Sequence, residues 1–142
     1  MARVVDDVKN WMNMFRWIVK LIRDEFGVDE KLLVRTATLD GSRGENGLVT
    51  LPLDNWLAAH PASPAVFFAC GPYGMLRAVA ERAASVLAPG WVSLDKHMVC
   101  GVGACLACVQ RMRRPDGATW IARVCRDGPV FPAAEVVWEE PK

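Results

Sequence analysis

The sequence predicts a small α/β protein in three parts: an amphipathic N-terminal helix, a partial parallel α/β layer, and a β-rich C-terminal module. Three observations carry this. Apolar residues recur at helical spacing near the N-terminus, short β-rich runs alternate with helical ones through the middle, and four of the five cysteines lie near the C-terminal end. The expected boundaries are residues 1–27, 28–95 and 96–142. With 142 residues and 52% hydrophobic content, the chain is long enough to bury one good core.

In chain order, Val8, Trp11, Met12, Phe15, Ile18, Val19, Ile22 and Phe26 give a helix from Asp7 to Phe26, with Asp6 or Asp7 as its cap and Gly27 as its end. Met14, Trp17 and Leu21 add a second apolar stripe. The helix is thus either an ordinary core helix or one that also meets another subunit. Leu32 to Leu39 alternates as a strand does, and Asp40 to Gly44 make a polar loop. Leu48 to Ala59 suggests a short helix. Ala65 to Cys70 is a continuous apolar run, as expected of a strand buried on both faces. Pro72 opens a helix with Met75, Leu76, Val79, Ala83, Val86 and Leu87 inward, stopped by Pro89 and Gly90. Trp91 to Leu94 reads as another strand. Val109 to Met112 and Trp120 to Val124 flank the turn residues Arg114 to Gly117 as a hairpin, with Cys125 at its end. Pro129 to Trp138 can supply an edge strand.

The chemistry is concentrated in Cys100, Cys105, Cys108 and Cys125, spaced C-x4-C-x2-C…C, with the first three on the run CGVGACLAC. This is the plant-type spacing for a [2Fe-2S] cluster, in which one tight loop wraps the irons and a distant segment delivers the last thiolate. Soft thiolates suit iron, and inward backbone N–H groups stabilise the sulfides. Gly101 and Gly103 allow positive φ, and Ala104 and Ala107 leave room. A structural zinc site is the alternative. Zinc loops pair C-x2-C knuckles, however, and only Cys105 and Cys108 form one here. His97 precedes the loop, but Rieske centres need two histidines and His60 is remote in sequence, so His97 reads as a surface or supporting residue.

Net charge is +1 with both signs scattered, which gives no electrostatic footprint for nucleic acid. No apolar stretch is long enough to insert in a membrane, and acidic residues interrupt the N-terminus where a signal peptide would be apolar. A cysteine cluster in a ligand pattern fits a reducing compartment, so a cytoplasmic location is expected.

Thr38 to Gly44 (TLDGSRG), Gly47 to Thr50 (GLVT), Cys70 to Met75 (CGPYGM), Ser93 to Met98 (SLDKHM), the CGVGACLAC run and Cys125 to Phe131 (CRDGPVF) resemble, in that order, the C-terminal half of the electron-transfer subunit of B-type dihydroorotate dehydrogenases. These belong to the ferredoxin-NAD(P) reductase superfamily. The resemblance implies part of a Rossmann-like nucleotide-binding layer followed by a [2Fe-2S] module. It also implies electron transfer between NAD(H) and a flavin-containing catalytic subunit. The family's flavin barrel and the glycine-rich turn that approaches pyrophosphate have no counterpart in these 142 residues. Neither FAD nor NAD is therefore expected on the isolated chain. Cys70 is a candidate for a place beside nicotinamide, or else a buried small hydrophobe. Thr38 and Asp40 are candidates for a ribose or adenine contact, or else ordinary turn residues.

Three functions follow as expectations. The first is a [2Fe-2S] subunit relaying single electrons between a partner flavoprotein and another redox centre, docked through the N-terminal helix. The second is an NAD(P)H-binding reductase fragment completed by a second chain. The third is a non-catalytic assembly subunit with a structural four-cysteine site.

Overall fold

The computed structural model describes residues 35–138. The helix expected from Asp7 to Phe26 lies outside the described residues, as does the start of the strand expected from Leu32. What is described of that strand is β1 (Ala37–Thr38), paired in parallel with β2 (Glu45–Asn46). Parallel neighbours normally need a long crossover. Here the chain returns in a few residues because Gly41 and Gly44 take φ of 69° and 74°. A Cβ at Gly44 would stand 2.1 Å from the Thr36 carbonyl oxygen, so glycine is required by both conformation and space.

Helix α1 (Thr50–Ala59) tolerates Pro52 because it falls in the first turn, where its missing N–H has no helical partner. Its end is fixed by His60, whose Nδ1 lies 2.9 Å from the Trp56 carbonyl and whose ring stacks on the indole. Strand β3 (Phe67–Cys70), helix α2 (Tyr73–Ser85) and strand β4 (Gly90–Ser93) form a βαβ unit with β3 and β4 parallel. Leu76, Ala80 and Ala83 face inward from α2 at helical spacing. The Asp54 carboxylate of α1 grips Arg82 of α2, with Arg82 Nη2 donating to Asp54 Oδ2 at 2.7 Å and Arg82 Nε to Oδ1.

Val86 and Leu87 were expected inward, but both are exposed, and the helix stops at Ser85. The reason is local. Leu87 takes a left-handed φ of 54°, its N–H bonds the Ala84 carbonyl at 3.1 Å, and Ala88 N–H bonds the Ala83 carbonyl at 2.9 Å. This pair of bonds is a Schellman ending, with leucine where glycine is usual.

Strand β7 (Val130–Pro132) adds antiparallel to β4, with Val92 opposite Phe131, giving the order β3-β4-β7. The layer is therefore mixed, its parallel pair being β3 and β4. Alternation puts Phe67, Val92 and Phe131 on the face covered by α2, where all three are buried. The opposite face is open: Phe68 is 77% exposed and stacks on Trp91. The expectation of a strand buried on both faces is corrected accordingly, because among the described residues α2 packs on one side only.

The hairpin of β5 (Val109–Arg113) and β6 (Thr119–Arg123) turns through Gly117 at φ 87°. Asp116 Oδ1 accepts the Ala118 N–H at 2.9 Å inside that turn. The tail serves both sheets. After β7 and a 3-10 turn (Ala133–Glu135), Val136 bridges to Met112, and the Gln110 side chain donates to the Val137 carbonyl at 3.0 Å. One buried cluster containing Leu76, Val92, Cys108, Met112, Ala122, Val124 and Phe131 runs from the βαβ unit into the hairpin.

Candidate metal centre

The first three cysteines lie on the loop between β4 and β5. Gly101 and Gly103 take φ of 68° and 80°, as expected of a tight wrap, and Leu106 also lies at φ 57°. Ala104 is exposed and Gly103 is buried. The fourth cysteine was expected at the end of a strand. It sits instead on α3 (Val124–Asp127), a single helical turn that begins where β6 stops. The hairpin register brings this turn to the loop: Val109 pairs with Arg123, and Val124 N–H bonds the Cys108 carbonyl at 3.0 Å.

The four thiols stand as two pairs. Cys105 N–H points at Cys100 Sγ at 3.4 Å, and Cys125 N–H points at Cys108 Sγ at 3.5 Å. Within each pair the side chains also interact with one another. These N–H groups act on the charge of the sulfurs. The Cys105 amide, then those of Val102 and Ala104 together with the Cys105 side chain, lower the Cys100 thiol to about 6. The Cys125 amide and side chain lower Cys108, while Cys125 itself is raised, first by its bond to Cys108. A loop that turns amides onto sulfur stabilises thiolate, the form that binds metal.

Among the described residues no three Cys, His, Asp or Glu side chains gather closely enough to enclose a single ion. The contacts around the thiols fall within two pairs, Cys100 with Cys105 and Cys108 with Cys125. The donor set, four soft sulfurs with inward amides, fits a [2Fe-2S] group.

Around the loop Met98, Val99, Val102 and Leu106 are exposed, forming an apolar rim. Gly103 is enclosed: a Cβ there would stand 3.1 Å from Arg126 Cδ and 3.4 Å from Arg123 Cδ. Arg123 is held in turn by Asp127, with its Nε 3.1 Å from Oδ2 and its Nη2 3.1 Å from Oδ1. Sequence reasoning missed this bracket. Its signal is the Arg-x3-Asp spacing around Cys125, which on one helical turn makes an i,i+4 pair.

The remaining candidates lie elsewhere. Cys70 ends β3, exposed and in neither thiol pair. Gly71 follows at φ 154°, and a Cβ there would meet Met75 Cε at 2.5 Å. The polar groups of the Thr38 to Gly44 loop bond one another: Thr38 Oγ1 receives the Arg43 N–H at 3.1 Å, and Asp40 Oδ1 receives the Ser42 N–H at 3.0 Å and its hydroxyl at 2.7 Å. These bonds hold the Asp40 carboxyl below its usual range, the Ser42 amide having the largest influence. His97 is exposed.

Residues 95–137 match the iron-sulfur cluster binding domain of dihydroorotate dehydrogenase B. The chain is 48% identical over 101 residues to the electron transfer subunit of dihydroorotate dehydrogenase B (NAD(+)) from Bacillus caldolyticus, covering 71% of this chain and 36% of that protein. The corresponding subunit from Listeria monocytogenes is 44% identical over 103 residues, covering 72% and 37%. The chain thus spans little more than a third of the length of these relatives. A solved structure of an NADH-dependent reduced ferredoxin-NADP oxidoreductase, described in connection with flavin-based electron bifurcation, superimposes with a TM-score of 0.58 at 32% identity, covering 78% of this chain and 39% of that one. The fold is thus that of a reductase-type α/β protein, residues 95–137 match an iron-sulfur cluster binding domain whose donor set is consistent with a [2Fe-2S] cluster, and the chain resembles the C-terminal half of the electron-transfer subunit of B-type dihydroorotate dehydrogenases.

Proposed function

We propose that this chain is a [2Fe-2S] electron-transfer subunit that relays single electrons between a partner flavoprotein and a second redox centre. Cys100, Cys105, Cys108 and Cys125 would hold the cluster, Cys100 with Cys105 as one pair of ligands and Cys108 with Cys125 as the other. The observation that carries the reading is the sorting of the four thiols into two amide-flanked pairs. Once bound, the group supplies a one-electron site, which lets a two-electron flavin pass its electrons singly. The chain's own contribution is to orient four thiolates, direct amides at them and present the apolar Met98, Val99, Val102 and Leu106 rim to a docking partner. Tunnelling requires that partner to approach closely.

The N-terminal segment Asp7 to Phe26 completes the partner interface in this reading, supported by its two apolar stripes. Replacing Trp17 and Leu21 by Asp should release the partner on size exclusion while the cluster spectrum persists. A cytoplasmic location belongs to the same proposal. Among the described residues no helix is long and apolar enough to cross a membrane, and the pattern of unbridged thiols suits a reducing compartment.

A second reading, a nucleotide-binding reductase fragment, is favoured by the likeness to the NADH-dependent oxidoreductase and by the exposed Cys70 at the strand-to-helix turn. One anaerobic experiment separates the two. NADH added to the purified chain should leave its visible spectrum unchanged, and bleaching should begin only when the co-purifying flavoprotein is present. Bleaching by NADH alone would favour the fragment and refute the relay.

A further inference from the structure

The segment that delivers the fourth cysteine carries an ion pair that the ligand pattern does not require. Arg123 closes β6 opposite Val109, the neighbour of Cys108, and is the first flanking residue of the turn that holds Cys125. Its backbone N–H donates to Asp127 Oδ2 at 2.8 Å while its guanidinium grips both carboxylate oxygens. Three bonds to one carboxylate fix the side chain, and the arginine stem lies against buried Gly103 in the loop of the other three cysteines.

We propose that Arg123 and Asp127 form an oriented ion pair that sets the reduction potential of the centre, with the guanidinium on the thiolate side and the carboxylate behind it. This rests on the four-cysteine reading above. The orientation rests on the contact with the cysteine loop: a Cβ at Gly103 would have only the stems of Arg126 and Arg123 as its three nearest atoms, with Arg123 Cδ at 3.4 Å, and no atom of Asp127 among them. Reduction takes one electron from a one-electron donor, moves no proton, and adds one negative charge among four thiolates. A fixed cation nearby favours that reduced state, and an unscreened anion opposes it. The arginine thus acts through its field, and the aspartate by fixing and partly offsetting it.

The test is a dithionite redox titration of the full chain with its cluster, followed by visible absorbance and electron paramagnetic resonance. Asp127→Asn leaves the arginine charge without its counter-ion and should shift the midpoint potential upward. Arg123→Gln removes the cation that grips the carboxylate and should shift it downward. Arg123→Lys keeps the charge and should stay close to the parent chain. Shifts of the two charge-removing variants in the same direction, or no shift in either, would overturn the proposal. So would loss of the cluster from both while Arg123→Lys retains it, since the pair would then be a strut. A parent chain without the cluster signal would remove the four-cysteine reading itself, and this inference with it.

Discussion

The cysteine module and the βαβ unit are built from similar material and finished differently. In the module, Met112, Ala122 and Val124 are fully buried, and the hairpin, the helical turn and the tail close around them. In the βαβ unit the described residues close only the face under α2, while Phe68 and Trp91 stand on the other. The difference teaches where precision is needed. The proposed centre would need thiolates from two distant segments to meet within fractions of an ångström, and the hairpin that joins those segments is locked by its register, by the Val124 N–H bond to the Cys108 carbonyl and by the Arg123 bracket. The βαβ unit carries none of the four cysteines proposed as ligands.

The sharpest way to break this contrast is to empty the shared core. Met112→Ala removes a side chain that touches hairpin and tail, and should destabilise the fold by about 2–5 kcal/mol in denaturant unfolding. Phe68→Ala on the open face should cost about 1 kcal/mol or less, mostly the lost stacking on Trp91. Equal losses at the two positions would mean that the open face is as tightly packed as the core.

A finer test lies within the loop. Gly101 and Gly103 share a left-handed φ, but a Cβ at Gly101 meets nothing within 4 Å and one at Gly103 meets both arginine stems. Gly101→Ala should therefore cost about 1–2 kcal/mol of conformational strain and keep the cluster. Gly103→Ala should cost more and lower the yield of cluster, read as visible absorbance per chain. A Gly103→Ala protein with full absorbance would show that the contact between the loop and the arginines does not matter for assembly.

The smallest effect belongs to the βαβ unit. Arg82 holds the Asp54 carboxyl below its usual range, chiefly through their hydrogen bonds. A carboxyl lowered on folding contributes stability above its unfolded pKa and loses it as pH falls through the folded value. Acidification below about pH 4 should therefore weaken the contact between α1 and α2, and Asp54→Asn should abolish that part of the pH dependence. The pair is partly exposed, so the change should stay below about 1 kcal/mol.

The cysteine loop was legible because its shape is written in local sequence: Cys100, Cys105 and Cys108 share one loop, and Gly101 and Gly103 announce its left-handed turns. The hairpin was equally plain from Arg114 to Gly117. What stayed hidden depended on contacts between segments. Leu87 looks apolar and inward by period, yet the helix ends before it in a left-handed turn. Ala65 to Cys70 looks like a doubly buried strand, yet packing covers one side. The Arg123 to Asp127 bracket became visible only when Cys125 was found on a helical turn rather than on a strand, because in a strand residues four apart lie too far from each other to pair.

The central claim is that Cys100, Cys105, Cys108 and Cys125 hold one [2Fe-2S] cluster as two pairs. The most direct test is the iron and acid-labile sulfide content, with the visible spectrum, of the chain and of five single Cys→Ser variants purified without oxygen. The account predicts about two irons and two sulfides for the parent chain and for Cys70→Ser, and a lost or displaced spectrum for each of the other four. A colourless zinc-bound parent, or a Cys70→Ser protein without the cluster, would contradict it.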